Sequence, residues 1–177
     1  MPTPHNLALM ARYNRWMNEK IYTAANTLTA EEIEKDRGAY FKSILGTLNH
    51  VYVADIIWLQ RFSEHPAHFS ALAPLAKRAK PSSLDMALYH RLPDLWEARA
   101  QMDSTITKFT SEITQFDLNQ TLTYKNMAGI PMTKPFSDLL QHFFNHQTHH
   151  RGQVSTLLLQ AGKDIGVTDL LALIDNV

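Results

Sequence analysis

The chain contains no cysteine. That removes a disulfide framework, a thiolate metal site and a cysteine nucleophile, and it mildly favours a reducing compartment. Any thiol chemistry would use a thiol carried in by a co-substrate. A surplus of either charge is also missing: 17 Lys and Arg stand against 17 Asp and Glu, for a formal net charge of zero. Nucleic-acid binding draws on clustered basic residues, so this balance argues against it. No run approaches the roughly 18 apolar residues of a membrane span, so none is expected. The opening Met-Pro-Thr-Pro-His lacks the basic stretch and apolar run of a secretory leader, which makes the cytoplasm the default location. Internal repeats and low-complexity stretches are absent as well.

What is present is ordinary for a folded protein. With 177 residues, 45% of them hydrophobic, the chain is long enough to bury a core as one domain over 1–177. Four long helical patterns stand out, over about Pro4 to Asn26, Lys42 to Ser63, Ser83 to Thr114 and Pro135 to Gln160. Thr29 followed by Glu31 and Glu32 predicts an N-cap and a short helix after the first long one. Ser82 or Ser83 with Asp85 reads as the start of the third helix, and Pro93 inside it predicts a kink or a break. Ala161-Gly162 gives the fourth helix a stop. Between the third and fourth helices, Thr121 to Tyr124 is β-prone and Ala128-Gly129 is a turn signal, compatible with a short two-stranded hairpin. The stretch from His65 to Lys80 reads as an ordered loop, and Val167 to Ile174 is compatible with one more short helix. The expectation is an all-α four-helix bundle.

The chemistry lies in the histidines. In the fourth helix His146 and His150 are one turn apart on the side that carries Leu139, Phe143, Val154 and Leu157. That apolar stripe must face the core. Nine histidines in 177 positions give roughly half an i,i+4 pair by chance, so spacing alone is a modest signal. Placement in the stripe strengthens it, because an unpartnered buried imidazole is costly. One turn is a good bite for two imidazoles on one ion, and a secure site needs a third ligand from another helix. His50 is the best candidate, on a face with Thr47, Ala54, Ile57 and Trp58. Taken alone it would read as a hydrogen-bonded core residue. His142 fits a group beside the ligands or a satisfied core residue, with the core reading favoured. His149 reads as a partly exposed neighbour. His5, His65, His68 and His90 have no spacing partner and read as surface residues.

Other metal sites fail on spacing. A HExxH protease needs Glu where Gln147 stands, and a di-iron bundle needs Glu-x-x-His motifs that are absent. Asn14 and Asn18 fall on the inward stripe of the first helix, and Gln153 shares the face of His146 and His150. They either orient ligands and line a pocket, together with Trp58, or make interhelical hydrogen bonds. Arg151 reads as a salt-bridging residue at the stripe's edge and Gly152 as a point of close helix approach. The second helix has another apolar face, Leu45, Leu48, Tyr52, Ile56 and Leu59, and the first carries Leu9 and Trp16 opposite its stripe. These faces predict a two-fold dimer, with cover by the His65–Lys80 loop as the alternative.

The run His146-Gln-Thr-His-His150-Arg-Gly-Gln153 resembles the fourth-helix motif of the DinB/YfiT-like metal-binding bundles. Tyr13-Asn14-Arg15-Trp16-Met17-Asn18 is similar to the first-helix motif, and Asn49-His50 with Asp55, Trp58, Leu59 and Arg61 to the second. The resemblance implies a four-helix bundle, commonly a homodimer, with metal ligands at His50, His146 and His150. It implies one divalent ion, zinc or nickel, and a metal-dependent enzyme of thiol S-transferase or hydrolase type, with a low-molecular-weight thiol as co-substrate of the former. The alternative is a non-catalytic, stress-associated bundle in which the ion is structural.

Overall fold

A computed structural model describes residues 2–176. The chain is mostly helical, with one two-stranded antiparallel sheet. The first long helix, α1 (Pro4–Ala25), starts at a capping box: Thr3 accepts from the Asn6 amide, and the Asn6 side chain accepts from the Thr3 amide. A short helix α2 (Ala30–Glu34) follows behind its Thr29 cap. Ser43 caps α3 (Ile44–Phe62) by accepting from the Gly46 amide. A 3-10 turn at Ser70–Leu72 and the short α4 (Ala73–Ala76) lie inside the segment expected to be a loop.

The third long helix, α5 (Leu92–Glu112), is shorter than the sequence pattern implied. Pro93 sits in its first turn, where a missing N–H costs nothing, so residues 83–91 stay outside the helix. The serines at 82 and 83 therefore cap nothing. A short α6 (Gln115–Leu118) leads into β1 (Thr121–Lys125), which pairs with β2 (Pro131–Pro135) in the register Thr121↔Pro135 to Lys125↔Pro131. The last long helix, α7 (Phe136–Gln160), ends before Gly162, whose φ of 76° closes the terminus in a conformation that side chains disfavour. Residues Leu170–Leu173 form one 3-10 turn. Among the described residues, no helix is long and apolar enough to cross a membrane.

The four long helices surround one apolar core, with α1 against α5 and α7, and α3 against α7 and α5. At one end of it Phe62 packs on Phe109, Phe136 and Phe143, with ring centroids 5.6 to 5.8 Å apart. Helix α3 is buried almost all round, including Leu45, Leu48, Tyr52, Ile56 and Leu59. Its second apolar face is covered from within the chain. Asn49 exchanges two hydrogen bonds with the backbone of Tyr89, and Gln60 donates to the carbonyls of Leu75 and Arg78. The 63–91 segment lies along this side of α3, and the five apolar residues belong to the core cluster. On α1, Leu9 and Trp16 are half-buried.

Candidate metal centre

Helix α3 brings His50 and α7 brings His146 and His150 to one point. His50 Nε2 lies 3.1 Å from His146 Nε2 and 3.2 Å from His150 Nε2. His50 and His150 are buried and His146 is half-buried. A tetrahedral ion with metal–nitrogen bonds of about 2.0–2.1 Å holds its ligand nitrogens about 3.3–3.4 Å apart. The observed spacing is close to that.

The protons decide whether this is a hydrogen-bonded cluster or a ligand set. The Leu84 carbonyl lies 2.8 Å from His50 Nδ1 and can only accept, so the neutral ring carries its proton there. His50 Nε2 is then a bare lone pair. Gln153 Oε1 stands 2.8 Å from His150 Nδ1, while the Gln153 amide nitrogen faces His149 Nε2 at 3.1 Å. That orientation makes His150 Nδ1–H a donor and its Nε2 a second lone pair. Two lone pairs thus face each other, an arrangement that repels unless a cation sits between them. A carbonyl or amide oxygen behind each ring is the arrangement that orients metal-binding histidines.

Charge on the rings does not relieve this repulsion. Burial lowers the pKa of His50 and His150 below the ordinary histidine value, against the opposing bonds to Leu84 and Gln153. His146 falls furthest, to about 3, through burial first and then the neighbouring imidazoles of His150 and His50. The three rings stay neutral near pH 7, the state in which imidazole binds metal. No carboxylate joins the three-histidine group among the described residues.

A cavity of about 650 Å³ opens beside His50, lined also by Tyr40, Phe41, Lys42, Gly46, Leu84 and Asp85. Asp85 is the one carboxylate on this wall; a hydrogen bond from Ser83 holds its pKa below the ordinary value, so it stands ionised. Another cavity, of about 630 Å³, lies between α1 and residues 162–165 and touches none of the three histidines.

The remaining candidates separate. Gln153 meets His150 directly. His142 is exposed, not a core residue: its ring packs on Trp58 at 5.0 Å and stands 6.1 Å from His146. Each four-residue step along α7 turns the row by about 40°, which carries His142 off the core face. Trp58 carries the Arg61 guanidinium over its ring at 4.6 Å and is not among the residues lining the cavity beside His50. Asn14 and Asn18 are bound elsewhere, both donating at 2.9 Å to Asp103 Oδ1. Arg151 is fully buried and donates to Asn14 Oδ1, so it is a core residue and not an edge one. Gly152 is exposed, with nothing near the position of a Cβ, and mediates no close helix approach. His65, read as a surface residue, is buried between Phe69 and Phe136. The sequence pattern does not single out Phe41 or Leu84. Backbone acceptors leave no mark in side-chain patterns, and an aromatic two residues before the Ser43 cap is a weak signal.

A model of the DinB family matches residues 1–176. The chain belongs to the DinB family. A DinB relative, "Protein DinB" of Bacillus subtilis (strain 168), is 29% identical over 164 residues, covering 89% of this chain and 87% of the relative. No solved structure matches. DinB membership and the three-histidine group agree with each other: both are compatible with a bound metal ion.

Proposed function

We propose that this DinB-family chain is a four-helix bundle over a single domain, 1–177, that holds one divalent ion on His50, His146 and His150. The observation that carries the reading is the approach of His50 Nε2 to the Nε2 atoms of His146 and His150, at 3.1 and 3.2 Å, with an acceptor oxygen at Nδ1 of both His50 and His150. The ion is zinc or nickel, both of which suit imidazole ligands. Three protein ligands leave coordination positions open, the mark of a reactive site, and the cavity beside His50 supplies room for a small molecule. In those positions the ion supplies Lewis acidity, lowering the pKa of a coordinated water or thiol. The residues of the chain do the rest. Leu84 and Gln153 fix the ring orientations, burial keeps the rings neutral, and the cavity orients the substrate.

On this reading the protein is a metal-dependent enzyme of thiol S-transferase or hydrolase type. The cysteine-free chain fits a transferase whose thiol arrives as a co-substrate. A cytoplasmic location and a homodimer through the first two long helices, α1 and α3, belong to the same proposal.

The test begins with elemental analysis of purified protein. About one ion per chain in wild type and none in His146→Ala is the expected result. Metal-free wild type after loading with zinc and nickel would reject the reading. Turnover of electrophiles with low-molecular-weight thiols, or of hydrolysable esters and amides, then separates the two reaction classes, and silence in both leaves the ion structural.

A further inference from the structure

We propose that Phe41 is a positioning residue for the three-histidine site, holding the His50 ring and closing one side of the ion's surroundings. The inference rests on the metal reading above. Phe41 lies flat on His50, with ring centroids 3.8 Å apart and planes at 16°. It also meets His150 edge-on at 5.6 Å. One aromatic ring therefore touches ligands from both α3 and α7. His50 already has one edge held, by the Leu84 carbonyl on Nδ1. With Phe41 against its face, the ring can neither swing nor flip without breaking a contact.

The backbone that carries Phe41 is built for this placement. Lys42, next in the chain, has φ 65°, a conformation that residues with a side chain seldom adopt. Hydrogen bonds tie the turn down: the Lys42 amide donates to Ala39 and the Arg37 amide donates to the Lys42 carbonyl, each at 2.8 Å. Gly46, in the first turn of α3, lets the loop approach the helix, because a Cβ there would overlap the Phe41 carbonyl oxygen. A strained residue and a required glycine both serve to press one aromatic side chain onto a ligand. Phe41 and His50 also share the wall of the 650 Å³ cavity, so the ring governs access to the ion from that side.

The experiment compares wild type with Phe41→Ala, Phe41→Tyr, Gly46→Ala and Gly152→Ala. Zn(II) and Co(II) affinities are measured by competition with a chromophoric chelator, the visible spectrum of the Co(II) form is recorded, and melts in EDTA report folding. Phe41→Ala and Gly46→Ala lose about 10- to 100-fold in affinity, as removal of a ligand-orienting group does. Their Co(II) bands weaken as more water reaches the ion. Phe41→Tyr keeps the flat ring and stays within about threefold of wild type. Gly152→Ala, where an added Cβ meets nothing, matches wild type. If Phe41→Ala fails to fold, Phe41→Leu replaces it, retaining bulk without the flat ring. A Phe41→Ala protein with wild-type affinity and spectrum overturns the positioning role and leaves the metal reading intact. Wild type that binds neither ion overturns both.

Discussion

A single proton position on His50 decides how the histidine group behaves. Because the Leu84 carbonyl accepts only, Nδ1 keeps the hydrogen and Nε2 offers its lone pair inward. His65 shows the opposite use of the same side chain. It is buried between Phe69 and Phe136, its Nδ1 accepts from the Ala67 amide at 3.1 Å, and its Nε2 has no hydrogen-bond partner. Burial lowers its pKa below the ordinary histidine value of about 6.5, with the Asp117 carboxylate opposing. The unfolded chain binds this proton near 6.5 and the folded chain binds it only at lower pH. Its contribution to stability is therefore complete above that value and is lost as pH falls below it. His65→Phe keeps the ring stack and removes the titration. In EDTA, its melting temperature should fall less steeply than that of wild type between pH 7 and pH 5; equal slopes would show that His65 is not the group responsible.

Helix α7 serves two sites at once, since residues adjacent in sequence point about 100° apart. His146 and His150 face the three-histidine group, while Gln147 and Arg151 face a buried ionic network. In that network Arg99 pairs with Asp55 at 2.5 Å and with Asp103 at 2.9 Å. Gln147 donates to Asp55 at 2.9 Å, Asn14 and Asn18 donate to Asp103, and Arg151 donates to Asn14. Side chains from α1, α3, α5 and α7 all take part, so the network sets how the helices are rotated against one another. Burial pushes both carboxyls above their ordinary pKa and Arg99 pulls them back, so a network with one partner missing would hold an uncompensated charge. Asp55→Ala is expected to cost about 3–5 kcal/mol in urea unfolding, the usual result of breaking a buried pair from one side. A loss below about 1 kcal/mol would mean that the network contributes little to stability.

At the scale of the molecule, segments outside the long helices complete the surface. The 63–91 segment packs along one side of α3, and the chain after α7 lies along α1. There Lys20 donates to the Val167 carbonyl, Tyr13 to Thr168 and Arg12 to Leu173, while Leu170 and Leu173 pack on the core. A protein truncated after Gly162 should lose about 1–3 kcal/mol, the scale of uncovering one large apolar side chain, and its tryptophan emission should shift to the red as Trp16 meets water. Its metal content should be unchanged, because all three histidines lie in α3 and α7. Loss of the ion on truncation would tie the segment to the site.

The sequence by itself determined the four long helices, the caps at Thr29 and Gly162, the hairpin and the three histidines that meet. The helices, caps and hairpin are local patterns or helical periods, and so is the His146/His150 pair; His50 was legible only as the best partner for that pair and through the family resemblance. It did not determine the start of the third helix, the cover of α3, the burial of His65 or the partners of Asn14 and Asn18. Those depend on contacts between residues far apart in the chain, such as Asn14 with Asp103 and Asn49 with Tyr89. Only the tertiary structure fixed which nitrogen of His50 faces inward, because a backbone carbonyl 34 residues away makes that choice.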